Sequence, residues 1–145
     1  MMLNDHTLAQ WADRAVACPS WKYISGMKVL DPVSGKVFRK LPFAWVNEAD
    51  HSTAGPSRNI AKFRPDFSDP LTVLGVLHLA RVALNSPGLC TDNLGTLWAV
   101  LLDGDYTVCH GTPNCCVAGS CVDPCMSTTE VGALVMAIES ADRTG

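Results

Sequence analysis

The chain predicts an α+β domain: a small antiparallel sheet with helices packed on its faces, in an α/β/α-like sandwich. Three observations carry that prediction. Apolar residues recur at helical spacing near both ends of the chain and in its middle, each time after a residue able to cap a helix. Between them lie short runs rich in aromatic and β-branched residues, which suit a pleated surface. Asp, Pro and Gly separate those runs in patterns that make tight turns. At 145 residues, 48% of them hydrophobic and 17% charged, the chain has material for one core, so residues 1–145 are expected to form a single domain.

The first helix is expected from a cap at Asn4 or Asp5 to about Ala17, with Leu8, Trp11, Ala12, Ala15 and Val16 on one face. Pro19 ends it. Residues 21–24 and 27–30 then read as strand, broken or bulged at Gly26. The turn chemistry of Asp31-Pro32-Val33-Ser34-Gly35 leads into a second extended run at 36–39, making a hairpin. Residues 41–46 suit an edge strand, because Pro42 lacks the N–H that a central ladder position needs. From 47 to 64 the composition turns polar with no apolar period, which predicts a surface loop carrying His51, Arg58, Lys62 and Arg64, with 47–62 weakly ordered and little buried.

Phe67-Ser68-Asp69-Pro70 is a strong helix start: Ser68 or Asp69 accepts an orphan amide, and Pro70 stands where its missing N–H costs little. Apolar residues from 71 to 84 cover most of that helix's circumference, which predicts the central, buried helix of the core. His78 within it reads as a packing residue. The apolar run ending at Leu102 suits a strand buried on both faces. Asp103-Gly104 predicts a two-residue turn, and residues 105–108 the antiparallel return. Ser127-Thr128-Thr129-Glu130 is the pattern of a capping box, opening a last helix to about Ala141 whose Val131, Leu134, Val135 and Ile138 face the sheet.

The formal net charge of −3 disfavours a nucleic-acid partner, since such surfaces usually carry a basic stripe. No apolar stretch is long enough for a bilayer span, and residues 1–6 lack a basic region followed by an apolar one, so a cytoplasmic location is expected. Seven cysteines in that setting point to thiols or a metal rather than a secreted disulfide framework.

Six potential soft ligands crowd residues 109–125, between the last strand and the final helix: Cys109, His110, Cys115, Cys116, Cys121 and Cys125. Zinc takes four such groups in a tetrahedron at roughly 2.0–2.3 Å, and the Gly- and Pro-containing turns here let thiolates converge. The set with the best reach is Cys109, Cys116, Cys121 and Cys125, with His110 and Cys115 in reserve because Cys115 and Cys116 are adjacent. The spacing lacks the C-x-x-C knuckle. Disulfides, such as Cys109 with Cys121 and Cys116 with Cys125, or free thiols stay open beside zinc. A cysteine-dependent enzyme is a further reading, but Cys109 and His110 are neighbours and would point to opposite faces of a strand. No phosphate loop, serine elbow or carboxylate pair accompanies them, so no residue is assigned a catalytic or cofactor-binding role.

The order of these elements resembles a known family. A tryptophan-bearing first helix with hairpin strands precedes Phe67-Ser68-Asp69-Pro70. A strand pair from 98 to 108 follows, and then the Ser127-Thr128-Thr129-Glu130 helix with its Ala133-Leu134-Val135-Met136-Ala137-Ile138-Glu139 run. This is similar to the small phage and prophage proteins grouped as the phage ABA sandwich domain. The resemblance implies an α/β sandwich from a phage genome, located in the cytoplasm of the infected bacterium, with no established activity. The cysteine-rich insert departs from it. The function expected is protein–protein interaction, inhibiting a host component of defence or transcription, with a zinc-stabilised module on the insert as the alternative; the sequence assigns no oligomeric state.

Overall fold

In a computed structural model, the described residues are 6–32, 34–54, 63–101 and 126–144, with no description of the side chains of residues 54, 126, 143 and 144. Helix α1 (Leu8–Val16) leads into strands β1 (Lys28–Leu30), β2 (Val37–Lys40), β3 (Trp45–Asn47), β4 (Thr53–Ala54) and β5 (Arg64–Pro65). Helix α2 (Pro70–Ala83), strands β6 (Cys90–Asn93), β7 (Trp98–Leu101) and β8 (Met126–Ser127), and helix α3 (Glu130–Thr144) follow. The α+β class is as the sequence predicts.

The sheet is divided where a single one was expected. Strands β1 to β5 form one antiparallel sheet in the order β4-β3-β2-β1-β5, and β6 to β8 form a second in the order β6-β7-β8. Residues 21–24 are irregular rather than strand. The segment from 47 to 64 contributes two short edge strands and a buried Phe63, and Asn47 itself is buried, so part of the expected loop belongs to the sheet. β7 pairs with β6, with Leu94 N–H donating to the Leu97 carbonyl across the turn between them. The Asp103-Gly104 turn and its return strand lie outside the described residues.

Each helix start is set by a specific side chain. Thr7, not Asn4 or Asp5, caps α1: its Oγ1 accepts from the Gln10 amide while Gln10 Oε1 accepts from the Thr7 amide, a complete capping box. His6 lies edge-on to Trp11 with ring centroids 4.9 Å apart, so the residue before the cap packs on the fourth helical residue and fixes the entry of the chain. Asp69 caps α2, accepting from the Thr72 amide at 3.0 Å. At α3 the expected Ser127 box does not form. Ser127 is held in β8 opposite Trp98, Thr129 Oγ1 accepts from the Gly132 amide, and the Glu130 carboxylate accepts from the Thr91 hydroxyl.

The largest correction concerns which helix is central. Residues 131–138 of α3 are all buried, because α1 and α2 pack on one side of it and the β6-β7-β8 sheet on the other. Two glycines allow close packing: Gly132 of α3 lies against the Trp11 indole, and Gly75 of α2 lies against Met27. Trp11, Met27, Leu89, Val100, Leu134 and Ile138 centre the main core, while Val29, Trp45 and Phe63 form a smaller one. Tyr23 packs against both and donates its hydroxyl to the Phe63 carbonyl at 3.0 Å.

Candidate protein-binding surface

Helix α2 buries only one face. Thr72, Gly75, Val76, Leu79 and Ala80 turn inward. Residues 71, 74, 78 and 82, separated by three, four and four positions, fall on the opposite face. There Leu71 is 51% exposed, Leu74 57% and Val82 58%, with His78 exposed between them. The sequence predicts a helix buried all round, whereas the structure leaves this one with an apolar outer ridge. Scattered apolar residues on a surface need no explanation, but three large aliphatics aligned on a helix are an organised patch.

The ridge is held rigidly at its N-terminal end. Arg39 of β2 donates from Nη1 and Nη2 to Asp69 at 3.1 and 3.2 Å, from Nε to Glu48 at 2.9 Å, and from Nη1 to the Gly26 carbonyl at 2.7 Å. Thr72 Oγ1 donates to Asp69 at 2.9 Å and accepts the Lys28 amide at 2.8 Å, so cap, helix and β1 are tied together. Burial pushes the Asp69 carboxyl up, but Arg39 and the Thr72 hydrogen bonds outweigh it and hold the group below its ordinary range. At the other end Arg81 Nε donates to the Leu89 carbonyl at 2.7 Å, fastening the last turn to the following loop. A second exposed apolar feature stands at the β2–β3 turn, where Phe43 is 94% exposed beside Leu41.

The other candidates from the sequence fall into three groups. Cys109, His110, Cys115, Cys116, Cys121 and Cys125, with Arg58 and Lys62, lie outside the described residues. Arg64 pairs with Asp13 at 3.2 Å on the surface, and His51 occupies a left-handed turn position with φ 60°. His78 is exposed rather than packed. Among the described residues no three His, Cys, Asp or Glu side chains form a group able to hold a metal.

A small cleft between α1 and α3 is lined by Arg14, Ala17, Cys18, Pro19, Glu139 and Asp142. Its Cys18 thiol donates to the Arg14 carbonyl at 3.5 Å, and burial, aided by Glu139 and Asp142 against Arg14, pushes its pKa up to about 11. A thiol so protonated at neutral pH is a poor nucleophile. The α2 ridge was missed in the sequence because a helix apolar on every side gives no sign of which face the core will take. No helix among the described residues is long and apolar enough to cross a membrane. No protein-family model matches the chain, and neither does any curated protein or solved structure.

Proposed function

We propose that the protein acts by binding another protein through the outer face of α2. The observation that carries this reading is the alignment of Leu71, Leu74 and Val82, each more than half exposed, on a helix whose cap is locked by Arg39 and Asp69. An apolar ridge in water is costly to solvate, and covering it releases that cost; its rigidity means that little conformational entropy is lost on binding. The resemblance to phage sandwich proteins adds that the partner is a host protein of the infected bacterium, such as a defence or transcription component that the chain inhibits. The test is paired capture from bacterial lysate with the wild-type chain and with Leu74→Glu and Val82→Glu. A specific partner retained by the first and lost from both variants is expected; a partner retained equally by all three moves the binding site elsewhere.

A second reading rests on the density of soft ligands in 109–125, six in seventeen residues. In it Cys109, Cys116, Cys121 and Cys125, with His110 and Cys115 in reserve, hold one zinc that ties the segment after β7 to the start of α3 and stabilises the fold. Protein purified without chelator then carries about one zinc per chain and melts lower once the ion is stripped. Metal far below one equivalent, with melting unchanged in excess chelator, retires it.

A further inference from the structure

We infer that the occupant of the α2 ridge is an amphipathic helix of a partner that presents an acidic side chain beside its apolar stripe. This inference rests on the protein-binding reading above and adds the chemistry of the partner. Its first support is shape: Leu71, Leu74, His78 and Val82 repeat at the spacing that another helix matches by laying its own ridge alongside.

The second support is charge. From Pro70 through Thr91 the chain contains no Asp or Glu, although it holds 14 in all and its net charge is −3. The ionisable residues of that stretch besides Cys90 are His78, on the ridge, and Arg81, one position before Val82 and on the Leu74 side of the stripe. Arg81 reaches the Leu89 carbonyl through Nε and has no carboxylate partner among the described residues. A guanidinium beside an apolar ridge selects for a carboxylate on whatever covers the ridge, because covering it otherwise strips water from the cation with no opposite charge in return.

That same pattern selects against a second copy of this chain. Another α2 holds no carboxylate between Pro70 and Ala83 to meet Arg81, its cap Asp69 being already engaged by Arg39, and two copies of like net charge repel. The ridge alone also offers an apolar patch on the order of 300 Å², well short of the roughly 800 Å² per partner of a standard stable interface. A free helix that can also reach flanking surface does not have that restriction.

Two synthetic peptides of roughly 18 residues, about five helical turns, test this on the full chain by fluorescence anisotropy. Both carry Leu at helical spacing, one flanked by Glu and the other by Lys. The Glu peptide should bind at least about tenfold more tightly than the Lys peptide. Leu74→Glu should abolish binding of the Glu peptide, Arg81→Gln should erase the preference, and Arg81→Glu should reverse it, with unchanged helix content by circular dichroism as the folding control. Equal binding of the two peptides overturns the acidic partner while leaving a protein-binding ridge in place. Binding of neither peptide overturns the helical occupant, and the lysate capture then decides the broader reading separately. Binding unaffected by Leu74→Glu overturns both. A wild-type dimer in sedimentation that Leu74→Glu splits assigns the ridge to a second copy and overturns the inference.

Discussion

Arg14 of α1 and Glu139 of α3 meet as a two-pronged ion pair, with Arg14 Nε 2.9 Å from Glu139 Oε2 and Nη2 bonded to Oε1, across 125 residues of sequence. The Arg14 guanidinium also lies over the Trp11 ring, 4.6 Å from its centroid. The pair thus joins the first and last helices at the rim of the main core. Both side chains are partly shielded, at 30% and 19% exposure, so the contact belongs between a surface pair and a buried one. Arg14→Ala removes both the charge partner and the stacking on Trp11, and should cost about 1–3 kcal/mol in urea unfolding. A double-mutant cycle with Glu139→Gln should show coupling; strictly additive losses would mean that the pair contributes nothing of its own.

Two glycines should respond differently to alanine. A Cβ at Gly132 would come within 2.6 Å of Trp11 Cε2 and 2.8 Å of Cζ2, atoms of a rigid, fully buried ring that cannot move aside. A Cβ at Gly75 would approach Met27 Cε at 2.6 Å and Cγ at 3.0 Å, on a flexible side chain. Alanine favours the helix by roughly 1 kcal/mol in each case. Gly132→Ala should therefore be the more damaging, by about 1–3 kcal/mol net, and thermal melts of the two variants side by side would settle the order.

The carboxyl of Asp69 is depressed in the folded state, so the sign of its pH effect is fixed. Its stabilising contribution is full above the ordinary value of 3.8 and is lost as pH falls through the lower folded value. Asp69→Asn keeps an acceptor for the cap but removes the charge facing Arg39. The variant should lose about 1–2 kcal/mol at neutral pH, and its stability should depend less on pH below about 4 than the wild type's. Parallel acid-unfolding curves would show that the Arg39 contact is not felt in stability.

Cys18 works in the opposite direction. Its folded pKa of about 11, raised by burial and by Glu139 and Asp142, exceeds the ordinary 9.0. The folded state holds the proton more tightly, so this contribution is full below pH 9 and falls away as pH rises toward 11. Tyr23, pushed up to about 12 by burial, adds a similar loss above pH 10. Urea midpoints at pH 8 and pH 10 should separate more for the wild type than for Cys18→Ala. At pH 7.5 the native Cys18 should resist iodoacetamide and react once the chain is unfolded; rapid labelling of the native protein would contradict a buried, protonated thiol.

The α+β class, the face of α1 that carries Trp11, Ala12 and Ala15, the turn at Asp31 to Gly35 and the start of α2 at Asp69-Pro70 were legible in the sequence. Each depends on interactions among residues a few positions apart: a cap, a turn dihedral, a one-sided apolar period. Strand β6 was not legible, because Cys90-Thr91-Asp92-Asn93 is polar and becomes a strand by pairing with β7. The chain's own pattern likewise made α2 the central helix and gave α3 a single buried face. Tertiary structure exchanged those parts: α3 lies between two helices and a sheet, so even Gly132, Ala133, Met136 and Ala137 are buried, while α2 has neighbours on one side alone. Hydrophobic periodicity states what a helix can bury; how much of it is buried depends on the number of elements that pack around it, and those come from distant parts of the chain. The ridge of Leu71, Leu74 and Val82 exists for that reason, as apolar surface that the sequence supplied and the packing left uncovered.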